Sequence, residues 1–354
     1  MTHYYNWKEN INKEELKQCC KILKENGTIV MPTETVYGIA ANALSEEAVR
    51  NIYQAKGREL DNPLIVHVSD KKMIQEVVKE VSEIEEKIID AFMPGPCTLI
   101  LKKQNKIPNI VSANLPTVGI RMPSHPIAHI LIQTSGYPLA APSANISGRP
   151  SGTRVEDIRE ELDGKVSAFI DGGISDIGVE STVIKVIDGV PTILRPGAIT
   201  PEMIKEKIGC IAINKKVFEK VQKGEKVESP GMKYRHYAPK TPCICVYSKE
   251  EEKQIRKIKE LIEKGKRQNQ KICVLGFSEH KDKILAEYYI SLGSKQHLEE
   301  ISKNIFMELR QADKLGVDLI LIEGVEKEGI GLAIMNRLIR TCEYHIYDLD
   351  KIEK

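Results

Sequence analysis

Thr28-Ile-Val-Met31 is a short apolar run, and Pro32-Thr-Glu-Thr-Val-Tyr-Gly38 follows it without a spacer. Upstream, residues 13–26 read as a helix. Asn12 is placed to cap it, Glu15 sits three positions on, and Leu16, Cys19, Ile22 and Leu23 fall on one face. Gly27 is expected to stop that helix. A helix, a buried strand and a polar turn at the strand end together indicate an α/β domain. The turn carries hydroxyls, a carboxylate and a glycine where α/β sheets place ligands. Taken alone it is read slightly more readily as a turn satisfying its own side chains.

The same alternation continues in both directions. Ser45 caps a helix running to about Lys56, Leu64–Val68 reads as a strand, and residues 70–91 are helical in two pieces. Strands are expected at Thr98–Leu101, Val118–Met122, Pro138–Ala141, Ala168–Ile170, Thr182–Ile187 and Thr192–Leu194, with helices near 125–134 and 154–161. Thr200-Pro201 opens another helix, a cap followed by proline at the first helical position. Residues 1–208 therefore form one α/β domain with a twisted, partly parallel sheet. Residues 209–242 lose the periodicity. Ser229-Pro-Gly-Met-Lys-Tyr-Arg-His-Tyr-Ala-Pro239 has the aromatic and basic content of a linker that docks onto something. From 243 to 354 strands at Cys243–Tyr247, Lys271–Gly276, Tyr288–Ser291 and Asp318–Glu323 alternate with helices at 249–264, 297–315 and 331–341, giving a smaller open sheet. Its first strand–helix turn has no G-x-G-x-x-G, so no dinucleotide site is assigned there.

Composition narrows the function. Of 354 residues, 52 are Lys or Arg and 50 are Asp or Glu, a net charge of +2 that argues against a nucleic-acid coat. The eight cysteines form no C-x-x-C pair and no disulfide or zinc framework. Most lie in apolar runs, which fits a reducing, cytoplasmic compartment. No run approaches the roughly 20 apolar residues of a membrane span, and the first ten residues lack a signal core.

Three polar segments carry the chemistry. Besides Pro32–Gly38 there is Ala55-Lys-Gly-Arg58, followed by Asp61-Asn-Pro-Leu64. Lys56 and Arg58 lie at a helix C-terminus, a common structural choice, yet Arg and Lys beside a glycine also suit phosphate. The third is Ala141-Pro-Ser-Ala-Asn-Ile-Ser-Gly-Arg-Pro-Ser-Gly-Thr153. It offers many donors and little bulk, as a polyanion site requires, although composition alone makes a plain surface loop as good a reading. No G-x-x-x-x-G-K-[ST] occurs in the chain. Arg121 interrupts an apolar strand and, once buried, needs an anionic partner. His67 alternates with apolar neighbours and lacks the companions of a metal ligand. A pocket of Arg, Lys, Ser, Thr and Asn positions and neutralises charge, the demands of phosphoryl or nucleotidyl transfer.

In their order and spacing, Pro32–Gly38, Lys56-x-Arg58, Ser143-x-Asn145, Glu180-Ser-Thr182 and Leu194-Arg-Pro-Gly197 resemble the YrdC-like threonylcarbamoyl-AMP synthases. The linker and the ending Gly329-Ile-Gly-Leu-Ala-Ile-Met-Asn-Arg-Leu338 resemble the two-domain version of that family. The resemblance implies a large twisted, mixed sheet around a concave basic cavity, with a Rossmann-like second domain and a linker that folds back towards the active site. It implies synthesis of L-threonylcarbamoyl-AMP and pyrophosphate from L-threonine, bicarbonate and ATP, with Mg²⁺ on the phosphates. The product would pass to a threonylcarbamoyl transferase complex acting on ANN-decoding tRNAs, so tRNA is an indirect partner. Carried over, the catalytic pair is Lys56 and Arg58. Thr35, His67, Arg121, Ala141 and Ser181 surround threonine. Arg58, Asn62, Thr117, Ser143, Asn145, Ser151 and Arg195 hold ATP, and Tyr234, His236 and Tyr237 close over the nucleotide. No protein-bound metal site is expected.

Two rivals stand beside this reading. One is a carbamoyltransferase using carbamoyl phosphate on the same fold, and such proteins usually carry zinc-binding or kinase-like modules that have no counterpart here. The other is an RNA-binding module, which the near-zero net charge and the absence of an aromatic RNA motif disfavour.

Overall fold

The computed structural model describes residues 2–220, 229 and 236–351. Tyr234 lies outside the described residues. The chain divides into two compact units: Met1–Ser147 with Ser151–Lys233, and Gly148–Pro150 with Tyr234–Lys354.

In the first unit the opening helix spans Lys13–Lys24, and the Asn12 side chain accepts from the Glu14 and Glu15 amides. Its end differs from expectation. Asn26, at φ 61°, makes the left-handed turn, while Gly27 is needed for space: a Cβ there would lie 2.5 Å from Ile22 Cγ2 and 2.8 Å from Ser167 Oγ. The helix Glu46–Lys56 begins at Ser45, whose Oγ accepts from the Ala48 amide, and ends at Gly57 with φ 60°. No atom crowds a Cβ at Gly57, so glycine there answers to backbone conformation alone.

The sheet of this unit has eleven described strands. Their spatial order is His3–Asn6, Ala168–Asp171, Ile29–Met31, Gly38–Asn42, Leu139–Ala140, Ile65–His67, Thr117–Arg121, Cys97–Lys102, Thr182–Ile187, Val190–Arg195 and Ala212–Ile213. Parallel and antiparallel pairs are mixed: Ile65–His67 runs parallel to Thr117–Arg121, and Ile29–Met31 antiparallel to Gly38–Asn42. The central strands are apolar on both faces; Ile29, Val30 and Met31 are all fully buried. Helices Lys13–Lys24, Glu46–Lys56 and Pro126–Ser135 contribute Leu23, Ile52 and Leu131 to the same core. Three of these strands are absent from the sequence reading. His3–Asn6 is mostly exposed at the sheet edge, Gly38–Asn42 is built of Gly, Ile, Ala and Asn, and Ala212–Ile213 has two residues. None has the β-branched alternation by which strands are read.

In the second unit five strands pair in parallel, in the order Tyr288–Gly293, Ile272–Phe277, Leu319–Glu323, Cys243–Tyr247 and Ile346–Asp348. Helices Glu251–Arg267, Leu298–Lys314 and Gly331–Thr341 complete it. Here the alternation read from sequence is reproduced, except for the edge strand Ile346–Asp348. The Ser248 amide is bonded to Gln254 Oε1 and the Lys249 amide to Asp350. Among the described residues, no helix is long and apolar enough to cross a membrane.

Candidate active site

The three polar segments of the first unit are stitched to one another through their backbones. The Ala144 amide donates to Tyr37 O at 2.6 Å, the Tyr37 amide to Gly152 O, and the Gly152 amide to Ala144 O. The Ile177 and Gly178 amides donate to Glu34 O and Thr35 O, which draws the loop before Glu180 onto Pro32–Gly38. Two glycines allow this closeness. A Cβ on Gly152 would meet Ile158 Cγ2 at 2.1 Å, and one on Gly197 would meet the Thr182 amide nitrogen at 2.4 Å.

Lys56 is 1% exposed. Its ammonium donates to Ser143 O at 2.5 Å, Asn145 O at 2.7 Å and Asn145 Oδ1 at 3.4 Å. Ser143 Oγ in turn donates to Asn145 Oδ1 at 2.6 Å. Lys56 thus reaches across from a helix end 87 residues earlier in the chain and fixes the Ser143–Asn145 turn. The amide of Ser147 closes the link by donating to Lys56 O. Arg58 is half-buried and lies along the following loop, with Nε on Asn62 O at 3.2 Å and Nη2 on Pro63 O at 3.0 Å. Tyr53, its hydroxyl pushed up to about 12 by burial, donates to the same Asn62 carbonyl. Asn62 is buried and its Oδ1 has no hydrogen-bond partner.

A second group forms where Ile65–His67 pairs with Thr117–Arg121. Register sets His67 opposite Arg121, and Thr117 opens the second of these strands. Arg121 Nη1 donates to Thr35 Oγ1 at 2.8 Å, and Nη2 lies 2.7 Å from Glu34 Oε1. Burial raises the Glu34 carboxyl, but Arg121 and local hydrogen bonds outweigh it and hold the group below the usual range. Burial, reinforced by the Arg121 charge, drives His67 down to about 3, so its imidazole is neutral and its buried Nδ1 has no partner. Ala141 joins this group through its amide, which donates to Ile65 O.

A third group contains Ser181 and Arg195, both buried. Arg195 reaches Ser181 O through Nε (3.1 Å) and Nη2 (3.0 Å), and Ser181 Oγ through Nη2 (3.1 Å). Ser181 Oγ also pairs with Thr98 Oγ1 at 2.8 Å, and Ser151 Oγ donates to Glu180 Oε1 at 2.5 Å. Glu34, Thr98, Glu180 and Tyr37 escaped the sequence-based selection of site residues. Glu34, Tyr37 and Glu180 lie inside the motif segments read from the sequence, but Thr98 is one hydroxyl in an apolar strand and gives no signal. His236 and Tyr237 belong to the second unit. There Tyr237 is buried at φ 64°, its ring stacked on Phe306 at 5.2 Å and its carbonyl accepting from Thr341 Oγ1.

A family model described as "Telomere recombination" matches residues 21–197, and one described as "Threonylcarbamoyl-AMP synthase, C-terminal domain" matches residues 199–342. A threonylcarbamoyl-AMP synthase of Pyrococcus abyssi is 44% identical over 346 residues, covering 98% of this chain and 99% of its own. The Bacillus subtilis one is 43% identical over 333 residues, with 94% of both chains covered.

This chain belongs to the threonylcarbamoyl-AMP synthase family. The crystal structure of P. abyssi Sua5 complexed with L-threonine superposes with a TM-score of 0.93 at 43% identity, covering 98% of this chain and 99% of that one. Escherichia coli YciO, at 24% identity, shares the fold over 56% of this chain and 96% of its own, with a TM-score of 0.51.

Proposed function

We propose that this chain condenses L-threonine, bicarbonate and ATP into L-threonylcarbamoyl-AMP and pyrophosphate, the activated intermediate for threonylcarbamoyladenosine in ANN-decoding tRNAs. Membership of the family supports the reaction. The observation that carries it is the buried Arg121, flanked by Thr35 and a neutral His67, in the same unit as the turn fixed by Lys56. Such a guanidinium suits a carboxylate, and the adjacent neutral polar groups suit an amine and a hydroxyl. Arg121 meets the threonine carboxylate, with Thr35, His67, Ala141 and Ser181 around the rest of the amino acid.

The chemistry requires a threonine amine free of its extra proton. Its nitrogen forms a bond to the carbon of bicarbonate, the carbon–hydroxyl bond breaks, and the hydroxyl leaves as water with a proton from the amine, giving N-carboxy-threonine. A carboxylate oxygen of that species then bonds to the α-phosphorus of ATP, and the bond to pyrophosphate breaks. Arg58, Asn62, Thr117, Ser143, Asn145, Ser151 and Arg195 hold the nucleotide, and Arg58 and Arg195 offset the developing charge. Because Lys56 is engaged with the Ser143–Asn145 turn, its part is to keep that turn and its positive charge in place. Among the described residues no group of three or more His, Cys, Asp or Glu side chains is placed to hold a metal. Mg²⁺ is expected to arrive on the phosphate oxygens, its usual mode with nucleotides. The mixed anhydride is labile, so a threonylcarbamoyl transferase complex is the expected recipient.

The test is nucleotide turnover with ATP, Mg²⁺, bicarbonate and L-threonine, omitting one component at a time. Pyrophosphate release that needs both threonine and bicarbonate, with an adenylate of the matching mass, establishes the reaction. Turnover driven by carbamoyl phosphate and indifferent to threonine would replace it with carbamoyl transfer.

A further inference from the structure

Glu34 has no part in the roles assigned above, yet it stands beside Arg121 in the core of the first unit. Both side chains are nearly sealed from solvent, at 8% and 5% exposure. A buried guanidinium without a counter-charge is strongly disfavoured, so something must hold Arg121 before any substrate arrives. At 2.7 Å the Glu34 Oε1–Arg121 Nη2 contact is a close ion pair, and backbone amides nearby steady the Glu34 carboxylate. Arg121 Nη1 donates to Thr35 Oγ1 at 2.8 Å. Glu34 therefore compensates the charge of Arg121 and, with Thr35, fixes the plane of its guanidinium, a group whose geometry suits a carboxylate. The backbone of Glu34 is itself held, because its carbonyl accepts from the Ile177 amide.

We propose that Glu34 is a positioning residue: it neutralises Arg121 and presets the plane of its guanidinium for the α-carboxylate of the amino-acid substrate. The inference rests on the proposed threonine-dependent reaction. Glu34 acts through Arg121 and does not touch the substrate amine.

The test compares Glu34→Gln and Glu34→Asp with the unsubstituted full-length chain. Calorimetry measures L-threonine binding, and pyrophosphate release gives KM for threonine and for ATP separately. Both variants are expected to weaken threonine at least tenfold while the KM for ATP stays within twofold. L-Threoninamide, which keeps the amine and hydroxyl but lacks the carboxylate, is expected to lose no more than twofold. Threonine affinity within twofold of the unsubstituted chain in both variants overturns the inference. Equal losses for threonine and threoninamide also overturn it, because they put Glu34 on the amine. If Glu34→Gln does not fold, Glu34→Asp, which keeps the charge and withdraws it by one methylene, decides alone. Failure of the unsubstituted chain to bind L-threonine would remove the functional reading itself and this inference with it.

Discussion

The Lys56 ammonium lies 2.5 Å from the carbonyl oxygen of Ser143, and this contact ties the end of one helix to a turn far along the chain. It changes the meaning of the lysine. Three short-range acceptors surround Nζ, which has three hydrogens to give. The turn carrying Ser143 and Asn145 is thus braced by Lys56, which donates to the carbonyls of both residues.

Lys56→Met is accordingly expected to cost about 1–3 kcal/mol of stability for the hydrogen bonds lost at the Ser143 and Asn145 carbonyls. Adenylate formation should fall by at least about 100-fold, as a misplaced site commonly shows. Lys56→Arg should not rescue it, since a planar fork cannot replace three converging donors in a closed space. Denaturant titration and threonine-dependent pyrophosphate release check both parts. Near-normal turnover in Lys56→Met would remove the lysine from the site.

Arg195 offers a contrasting case. It holds Ser181 through both the carbonyl and the hydroxyl. Arg195→Lys keeps the charge but loses the fork, so the KM for ATP and the KM for threonine should both rise, each by roughly tenfold, about 1.4 kcal/mol apiece. A rise confined to ATP would separate Arg195 from Ser181 in function.

His67 makes a pH prediction. Its pKa is depressed to about 3 in the fold, chiefly by burial, against an ordinary value of 6.5. Below 6.5 the unfolded chain binds a proton that the folded chain refuses, so stability falls as pH falls from 6.5 towards 3. The slope is about 1.4 kcal/mol per pH unit once the unfolded imidazole is charged. Burial lowers His125 as well, with the same sign. His67→Gln should remove only the His67 share of the slope between about pH 6 and 5. An unchanged slope would contradict a buried neutral imidazole.

Gly152→Ala tests the close approach of the loops. Its new methyl would lie 2.1 Å from Ile158 Cγ2 and 3.0 Å from the Ala144 carbonyl. Overpacking of this kind costs about 1–3 kcal/mol. Gly57→Ala, where no atom crowds the methyl but φ is 60°, should cost about 1 kcal/mol through backbone conformation alone. Comparable losses at both positions by chemical denaturation would mean that Ile158 yields.

Much of this chain was legible from residue order. Capping side chains at Asn12, Ser45 and Thr200 are where spacing placed them, and the second unit follows its strand–helix alternation. These are local properties: a cap binds amides two or three residues on, and amphipathic periodicity is short-ranged. Strands with weak patterns, such as Gly38–Asn42, were invisible because neighbouring strands, not their own composition, bury them.

The candidate site divides in the same way. Sequence determined which polar segments exist and that Arg121, inside an apolar strand, would need a partner. Only the tertiary structure decided that the partner is Glu34, that Lys56 serves the Ser143–Asn145 turn, and that Thr98 stands beside Ser181. Lys56 and Asn145 are 89 positions apart and Thr98 and Ser181 are 83 apart; Glu34 and Arg121 are as distant from one another. Sequence spacing carries no record of such contacts. They arise when sheet register and close-packed glycines bring distant strand ends together, and burial then makes every charge and carbonyl there find a partner.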